Sequence, residues 1–142
     1  MARITIDMPK EFSFSTEIQV CMRDINAANH LGSDALLAFL NEALLRLFAA
    51  KGFSGGFESG ISWIITDQAT IYKSEGFHGD MLLIEMSAAD FYKYGCDIVY
   101  RVTNKTSAKV LAEAKTGIMF FNYEERKPAF IPDNFKAAFN TA

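Results

Sequence analysis

The helix predicted over residues 33–51 limits the folds open to this chain more than any other segment. Its apolar residues lie on nearly every side of the helical wheel, and the polar stripe is only partial: Asp34, Asn41, Glu42 and Arg46. A helix with so little polar surface has to be covered by other elements. Ser33 or Asp34 is expected to cap its first turn, and Lys51 followed by Gly52 is expected to end it.

Strand-like segments occupy most of the remaining chain. Alternating apolar residues and intervening turn residues predict five strands, at about residues 12–22, 61–73, 81–94, 97–104 and 110–123. A short terminal helix is predicted over residues 134–139. Short links between the last four strands favour an antiparallel meander. The sequence therefore predicts an α+β fold, in which a five-stranded antiparallel sheet wraps around one long central helix.

Length and composition indicate a single domain over residues 1–142. A net charge of -3 leaves no basic surplus for nucleic acid. No apolar run approaches the roughly 20 residues of a membrane span, and no signal peptide is recognisable. Cys21 and Cys96 lack a metal-ligand spacing, so both are expected to be free thiols in the core. We therefore expect a cytoplasmic protein without metal, cofactor, membrane or nucleic-acid partner.

A polar loop, residues 23–32, leads directly into the apolar helix. It contains Asp24, Asn26, Asn29 and His30, whose side chains can form hydrogen bonds or transfer protons. The first N–H groups of a helix lack intrahelical partners and favour negative charge nearby. The junction of loop and helix is therefore a candidate site for stabilising an anionic transition state.

The order and spacing of several motifs resemble the hotdog fold, and within it the acyl-CoA thioesterases similar to 4-hydroxybenzoyl-CoA thioesterase. The resemblance covers residues 12–132 approximately and rests on these segments: Asp24-Ile25-Asn26, Ala27-Ala28-Asn29-His30, Glu42-Ala43-Leu44, residues 69–73 with Gly79-Asp80, residues 112–117 and residues 126–132. It implies an enzyme, a thiolester hydrolase that converts an acyl-CoA to the free acid and CoA. The alternatives are a non-catalytic hotdog protein that binds an acyl thioester, and a hotdog hydratase or dehydratase.

The same resemblance implies an oligomer. Two subunits of such a protein pair edge to edge into a ten-stranded sheet, so we expect a homodimer or a dimer of dimers (a homotetramer), with active sites at the subunit interface. The substrate is expected to be an acyl-CoA or an acyl-carrier thioester. The acyl group and the choice between CoA and acyl carrier protein stay open at this point.

Substrate binding is expected at Gly32, Ser33 and Asp34, where the helix begins. A thioester carbonyl placed there would develop negative charge close to the N–H groups of the first turn. Asp34 could equally cap its own helix or contact a partner subunit.

The catalytic candidates are Asn26, His30, Asp67 and Glu42. Asn26 stands where the best-understood relatives carry their second acid, and a carboxamide can orient a water or donate to a carbonyl but cannot act as a base. His30 can act as a general base near neutral pH. Asp67 interrupts an apolar strand and could supply the missing base. Glu42 could be a carboxylate from the neighbouring subunit, or simply pair with Arg46 one helical turn away.

Overall fold

The computed structural model describes residues 3–54, 56–58 and 60–139. In chain order these residues form β1 (Phe14–Gln19), a 3₁₀ turn (Met22–Asp24), α1 (Ser33–Ala50), β2 (Ile61–Tyr72), β3 (Met81–Tyr92), β4 (Gly95–Asn104), β5 (Lys109–Asn122), β6 (Lys127–Pro128) and α2 (Asp133–Phe139). The predicted α+β architecture, with one long helix and an antiparallel sheet, is confirmed. Strand β1 is shorter than predicted because the chain turns at Met22.

The strands pair in the order β1-β3-β4-β5-β2, and the two-residue β6 adds to β5. All pairs are antiparallel. Strands β3, β4 and β5 form the predicted meander, but its extension to β2 is wrong, since β2 pairs with β5. The link between β2 and β3 crosses the sheet instead of forming a hairpin. Its start is bound to β5 (Lys73 N to Leu111 O, 2.7 Å) and its end to the chain after β1 (Gly79 N to Val20 O, 2.9 Å).

Helix α1 and one face of the sheet share a single core. Its fully buried side chains include Leu36, Leu40, Leu44 and Leu47 of the helix and Leu82, Ile84, Ile98, Val102, Ile118 and Phe120 of the sheet. The sheet covers one broad face of α1, whereas Ala38, Asn41 and Leu45 stay exposed in the single chain. The helical wheel suggested that other elements cover α1 on nearly every side. Within one chain, they cover only one broad face.

Aromatic side chains close the core at the end of α1. Phe135 of α2 is fully buried, and its ring lies 5.6 Å from that of Phe48, near the end of α1, and 5.0 Å from that of Phe120 in β5. The opposite end of α1, at Ser33, is left for the polar loop. None of the described helices has both the length and the hydropathy needed to cross a membrane.

The two cysteines lie in different environments. Cys96 in β4 is fully buried, and burial, with a smaller contribution from the charge of Asp97, raises the pKa of its thiol to about 12. Cys21 is exposed at the 3₁₀ turn, so the expectation that both thiols lie in the core is wrong for this residue. The reason is the early end of β1, which places Cys21 beyond the sheet.

We expect one fast-reacting thiol per native chain, because the thiolate is the nucleophile and only Cys21 is accessible. Titration with an aromatic disulfide reagent should release one equivalent quickly, and a second only after unfolding. Cys21→Ser should abolish the fast phase. Two fast equivalents, or a fast phase that survives Cys21→Ser, would contradict this assignment.

Candidate functional site

The polar loop folds back on itself immediately before α1. Asn26 N–H donates to His30 O (2.9 Å), an isolated bridge pairs Ile25 with Leu31, and Gly32 N–H donates to Asp24 O (3.0 Å). Asn29 has a φ of 67°, in the left-handed region that asparagine tolerates better than most residues. The loop thus presents its side chains from a closed, hydrogen-bonded turn that abuts the helix.

Helix α1 begins without a side-chain cap. Its N-cap is Gly32, and no capping hydrogen bond from a side chain is found there, so the predicted capping by Ser33 or Asp34 is wrong. Both residues already belong to the helix. A Cβ on Gly32 would come within 2.5 Å of Asp34 Oδ1, so a larger residue there would require the exposed Asp34 side chain to move. Because no side chain among the described residues caps the helix, the N–H groups of its first turn remain available to a ligand.

A cavity of 290 Å³ opens at this helix start. One wall comes from the loop and α1: Asn26, His30, Leu31, Gly32, Ser33 and Leu36. The other comes from the end of β2, the link that follows it, and β5: Tyr72, Ser74, Glu75, Gly76 and Leu111. A backbone hydrogen bond from Leu31 N to Gly76 O (2.7 Å) joins the two walls. Polar groups and leucines therefore face the same space.

Asn26 and His30 each keep a functional group available. Asn26 Oδ1 accepts from Ala28 N (3.0 Å) and, at 3.4 Å, from His30 N. Its NH₂ group thus remains a donor. His30 is half-buried, and its Nδ1 lies 3.3 Å from Leu31 O. A proton on Nδ1 would be shared with that carbonyl, and Nε2 would then be free to accept a proton.

Glu75 is a cavity residue that the sequence reasoning missed. It is the one carboxylate among the side chains that line the cavity. In sequence it belongs to a polar turn, where a glutamate is ordinarily a solvated residue. No local sequence signal marks it; its place follows from its neighbour Gly76, which is buried and so tightly packed that a Cβ would lie 3.0 Å from Leu111 Cδ1.

Asp67 lies away from the cavity within one chain. It sits at a bulge in β2, is exposed, and accepts a hydrogen bond from Thr66 Oγ1 (2.7 Å). The next residue, Gln68, reaches towards α1, with its Nε2 3.4 Å from Asn41 Oδ1. Because successive strand residues point to opposite faces, Asp67 belongs to the face away from the helix.

The charge of Asp67 acts on neighbours on that outer face. The pKa of Asp97 is raised, first by burial; Lys115 opposes this shift, and the charges of Asp90 and Asp67 add to it. The structure therefore does not bring Asp67 together with Asn26 in one subunit.

Glu42 and Asp34 are not among the residues that line the cavity. Glu42 accepts a hydrogen bond from Arg46 Nε (2.7 Å) and lies in a groove between α1 and β1. Asp34 is exposed on the first turn of the helix. Of the predicted substrate-binding residues, Gly32 and Ser33 line the cavity. Among the described residues, no cluster of three or more His, Cys, Asp and Glu side chains is suited to holding a metal ion.

Hydrogen bonds made by Asp80 and Asn104, here called the Asp80–Asn104 clip, anchor the link that forms the second wall. Asp80 Oδ2 accepts from Phe77 N (2.9 Å) and from Asn104 Nδ2 (2.8 Å). Asn104 is fully buried, and its Oδ1 accepts from the backbone N–H groups of Thr106 (3.0 Å) and Ser107 (3.3 Å). The clip ties the β2–β3 link to the β4–β5 turn.

Asp80→Ala should loosen this wall. It removes the acceptor for Phe77 N and leaves the buried Asn104 amide without its partner, at a cost of about 1–3 kcal/mol in unfolding free energy. Hydrogen exchange should speed up at the Leu31 amide, which is bonded to Gly76, and urea unfolding should shift to lower concentration. Asp7→Ala, at an exposed position, is the control. Unchanged Leu31 exchange in a destabilised Asp80→Ala variant would show that the clip does not hold the wall.

Comparison with known proteins agrees with this architecture. A family model described as the Thioesterase-like superfamily matches residues 20–139. A search of curated protein sequences finds no match. A 1,4-dihydroxy-2-naphthoyl-CoA thioesterase from Synechocystis has a similar structure, with a TM-score of 0.81 and 21% identity, covering 89% of this chain and 94% of that one.

Two further solved structures show the same fold. A Staphylococcus aureus protein in complex with CoA has a TM-score of 0.81 and 18% identity, over 94% of this chain and 85% of that one. The 12:0-ACP thioesterase from Umbellularia californica has a TM-score of 0.79 and 16% identity; the match covers 91% of this chain but only 54% of that one. At these identities the structural likeness establishes the hotdog fold.

Proposed function

We propose that this chain, which belongs to the Thioesterase-like superfamily, hydrolyses acyl-CoA thioesters to the free acid and CoA. The observation that carries the proposal is the cavity at the start of α1. It combines uncapped helix N–H groups with a histidine, a carboxylate and an apolar floor. These are the elements that thioester hydrolysis needs: a polarised carbonyl, a proton acceptor for water, and a dry place for the acyl group.

The carbonyl oxygen is placed against the first turn of α1, beside Ser33. Negative charge that develops on this oxygen in the transition state is stabilised by the N–H groups of the turn and by the helix dipole. The NH₂ group of Asn26 is the additional donor. Loss of one such donor costs on the order of 3 kcal/mol in transition-state stabilisation.

The attacking water is activated by His30. Its Nε2 takes a proton as the water oxygen bonds to the carbonyl carbon, and the negative charge of Glu75 on the opposite wall stabilises the imidazolium that forms. Collapse of the tetrahedral intermediate then breaks the C–S bond. The CoA sulfur leaves as a thiolate, or takes the proton from His30. This scheme gives Asn26 the role of a donor and needs no base at that position.

His30→Ala should lower kcat by about 10²–10⁴-fold, the usual contribution of a general base. Release of CoA thiol from a panel of acyl-CoAs is the measurement. His78→Ala is the matched control, because His78 is exposed in a turn and does not line the cavity. Activity at the parent level in His30→Ala would overturn the assignment. No turnover of any thioester by the parent, with saturable acyl-CoA binding, would indicate a binding protein.

Glu75→Gln should lower kcat with a smaller change in KM, because the carboxylate acts on charge that appears during the reaction. Glu58→Gln, an exposed position away from this cavity, is the matched control. Equal kcat in Glu75→Gln and the parent would remove Glu75 from the mechanism while leaving His30 in place.

We also propose that the functional form is a homodimer. Strand β2 contributes twelve residues to one edge of the sheet, and Leu45 of α1 (55% exposed) and Ile65 of β2 (38% exposed) leave apolar surface uncovered. A long, uncovered edge strand favours pairing with another chain. Pairing along β2 would extend the sheet into the partner.

Light scattering should therefore give twice the chain mass of 15.8 kDa, or four times that mass if dimers associate. Because the family resemblance implies active sites at the subunit interface, dilution to monomer should abolish thioester hydrolysis, and re-concentration should restore it. A fully active monomer would exclude an active site that depends on the partner subunit.

A further inference from the structure

We propose that Leu36 and Leu111 close the acyl end of the cavity and restrict the substrate to compact acyl groups, such as a single ring or a chain of about six carbons. The proposal rests on the proposed function and names the substrate class for the same site. It starts from the side chains on the cavity floor, which are aliphatic in contrast to the polar rim.

The two leucines belong to the core as well as to the cavity. Leu36 is 1% exposed and Leu111 is 2% exposed, and both are members of the cluster that α1 shares with the sheet. A longer acyl chain would have to displace packed core side chains to pass them. Protein interiors are packed at crystal-like density, so such displacement is costly.

The floor is also fixed by the backbone. Leu111 O accepts hydrogen bonds from Lys73 N (2.7 Å) and Ser74 N (3.1 Å), and Gly76 packs directly against the Leu111 side chain. Moving Leu111 aside would therefore displace the link that carries Glu75. The cavity cannot lengthen in this direction without disturbing its own polar wall.

The volume of the cavity agrees with a compact acyl group. A closed apolar cavity of ~150 Å³ binds benzene, and the 290 Å³ cavity here is open to solvent beside Tyr72 and Glu75, where the thioester and a water can lie. The remaining space suits one ring or its aliphatic equivalent. The Tyr72 side chain, on the side wall, adds an aromatic surface.

Truncation of the floor should change acyl selectivity. For the parent, kcat/KM over saturated acyl-CoAs from two to twelve carbons should rise by up to about fourfold per methylene group that is buried, and fall beyond about six carbons. Leu36→Ala and Leu111→Ala should move the maximum to longer chains, by roughly two to four carbons given the side-chain volume removed. Leu36→Val, a milder truncation, should move it less and serves if the alanine variants fail to fold.

The matched control is Leu44→Ala, which removes an equally buried leucine of α1 that does not line the cavity. It should be destabilised without a shift in the maximum. A flat profile in the parent, or an unshifted maximum in the folded Leu36 and Leu111 variants, would overturn the proposal while leaving thioester hydrolysis intact.

Binding of S-alkyl-CoA thioethers of the same lengths, measured by calorimetry, separates failure of the two proposals. These probes cannot be hydrolysed but should show the same length limit and the same shift in Leu36→Ala. A length limit in binding without any hydrolysis would support the leucine floor and reject the proposed enzyme. Thioether binding that ignores chain length would reject the floor, whatever the activity.

Discussion

Seven side chains of α1 are buried against one face of the sheet, and this burial determines where the helix and the candidate site at its start lie. Six of them are leucine or phenylalanine, each contributing about 1.5–3 kcal/mol when withdrawn from water. Their sum is of the same order as the whole net stability of a domain, about 5–15 kcal/mol. The axis of the helix is therefore fixed, and with it the place and direction of its first turn, including the N–H groups that a ligand would meet.

The cavity depends on two loops that are distant in sequence. The loop before α1 and the link after β2 meet because β2 pairs with the far edge of β5, so the chain has to return across the sheet to begin β3. The hydrogen bond from Leu31 to Gly76 joins them, and the Asp80–Asn104 clip holds the second loop from the other side. Loops with this many internal constraints suit a preorganised polar site, because their side chains need little reordering when a ligand binds.

Local patterns were sufficient to predict both helices, five strands and the β3–β4–β5 meander, but not the pairing of β2. The apolar helix and the alternating strands follow from periodicity, and the tight β3–β4 and β4–β5 turns follow from turn residues such as Asn104. The placement of β2 beside β5 depends on long-range hydrogen bonds that no local pattern specifies.

The same limit applies to the site: Asn26 and His30 belong to one readable motif, whereas Glu75 reaches the cavity only through the β2 crossover. Asp67, predicted because it breaks an apolar run, lies at a bulge on the outer face of β2, away from the cavity of its own chain, and its catalytic role stays a prediction.

The carboxamide of Asn26 limits which roles this residue can take in the reaction proposed for this site. Its oxygen already accepts two backbone N–H groups, so an aspartate there could make the same loop contacts. What asparagine changes is the outward-facing atom, which becomes a donor rather than a second acceptor. A donor beside an uncapped helix start adds to the stabilisation of an oxyanion, and removes a negative charge that would oppose it. The proton acceptor must then be another side chain: His30 lies on the same wall as Asn26 and the helix start, and Glu75 lies on the opposite wall, which keeps its negative charge apart from the oxyanion donors.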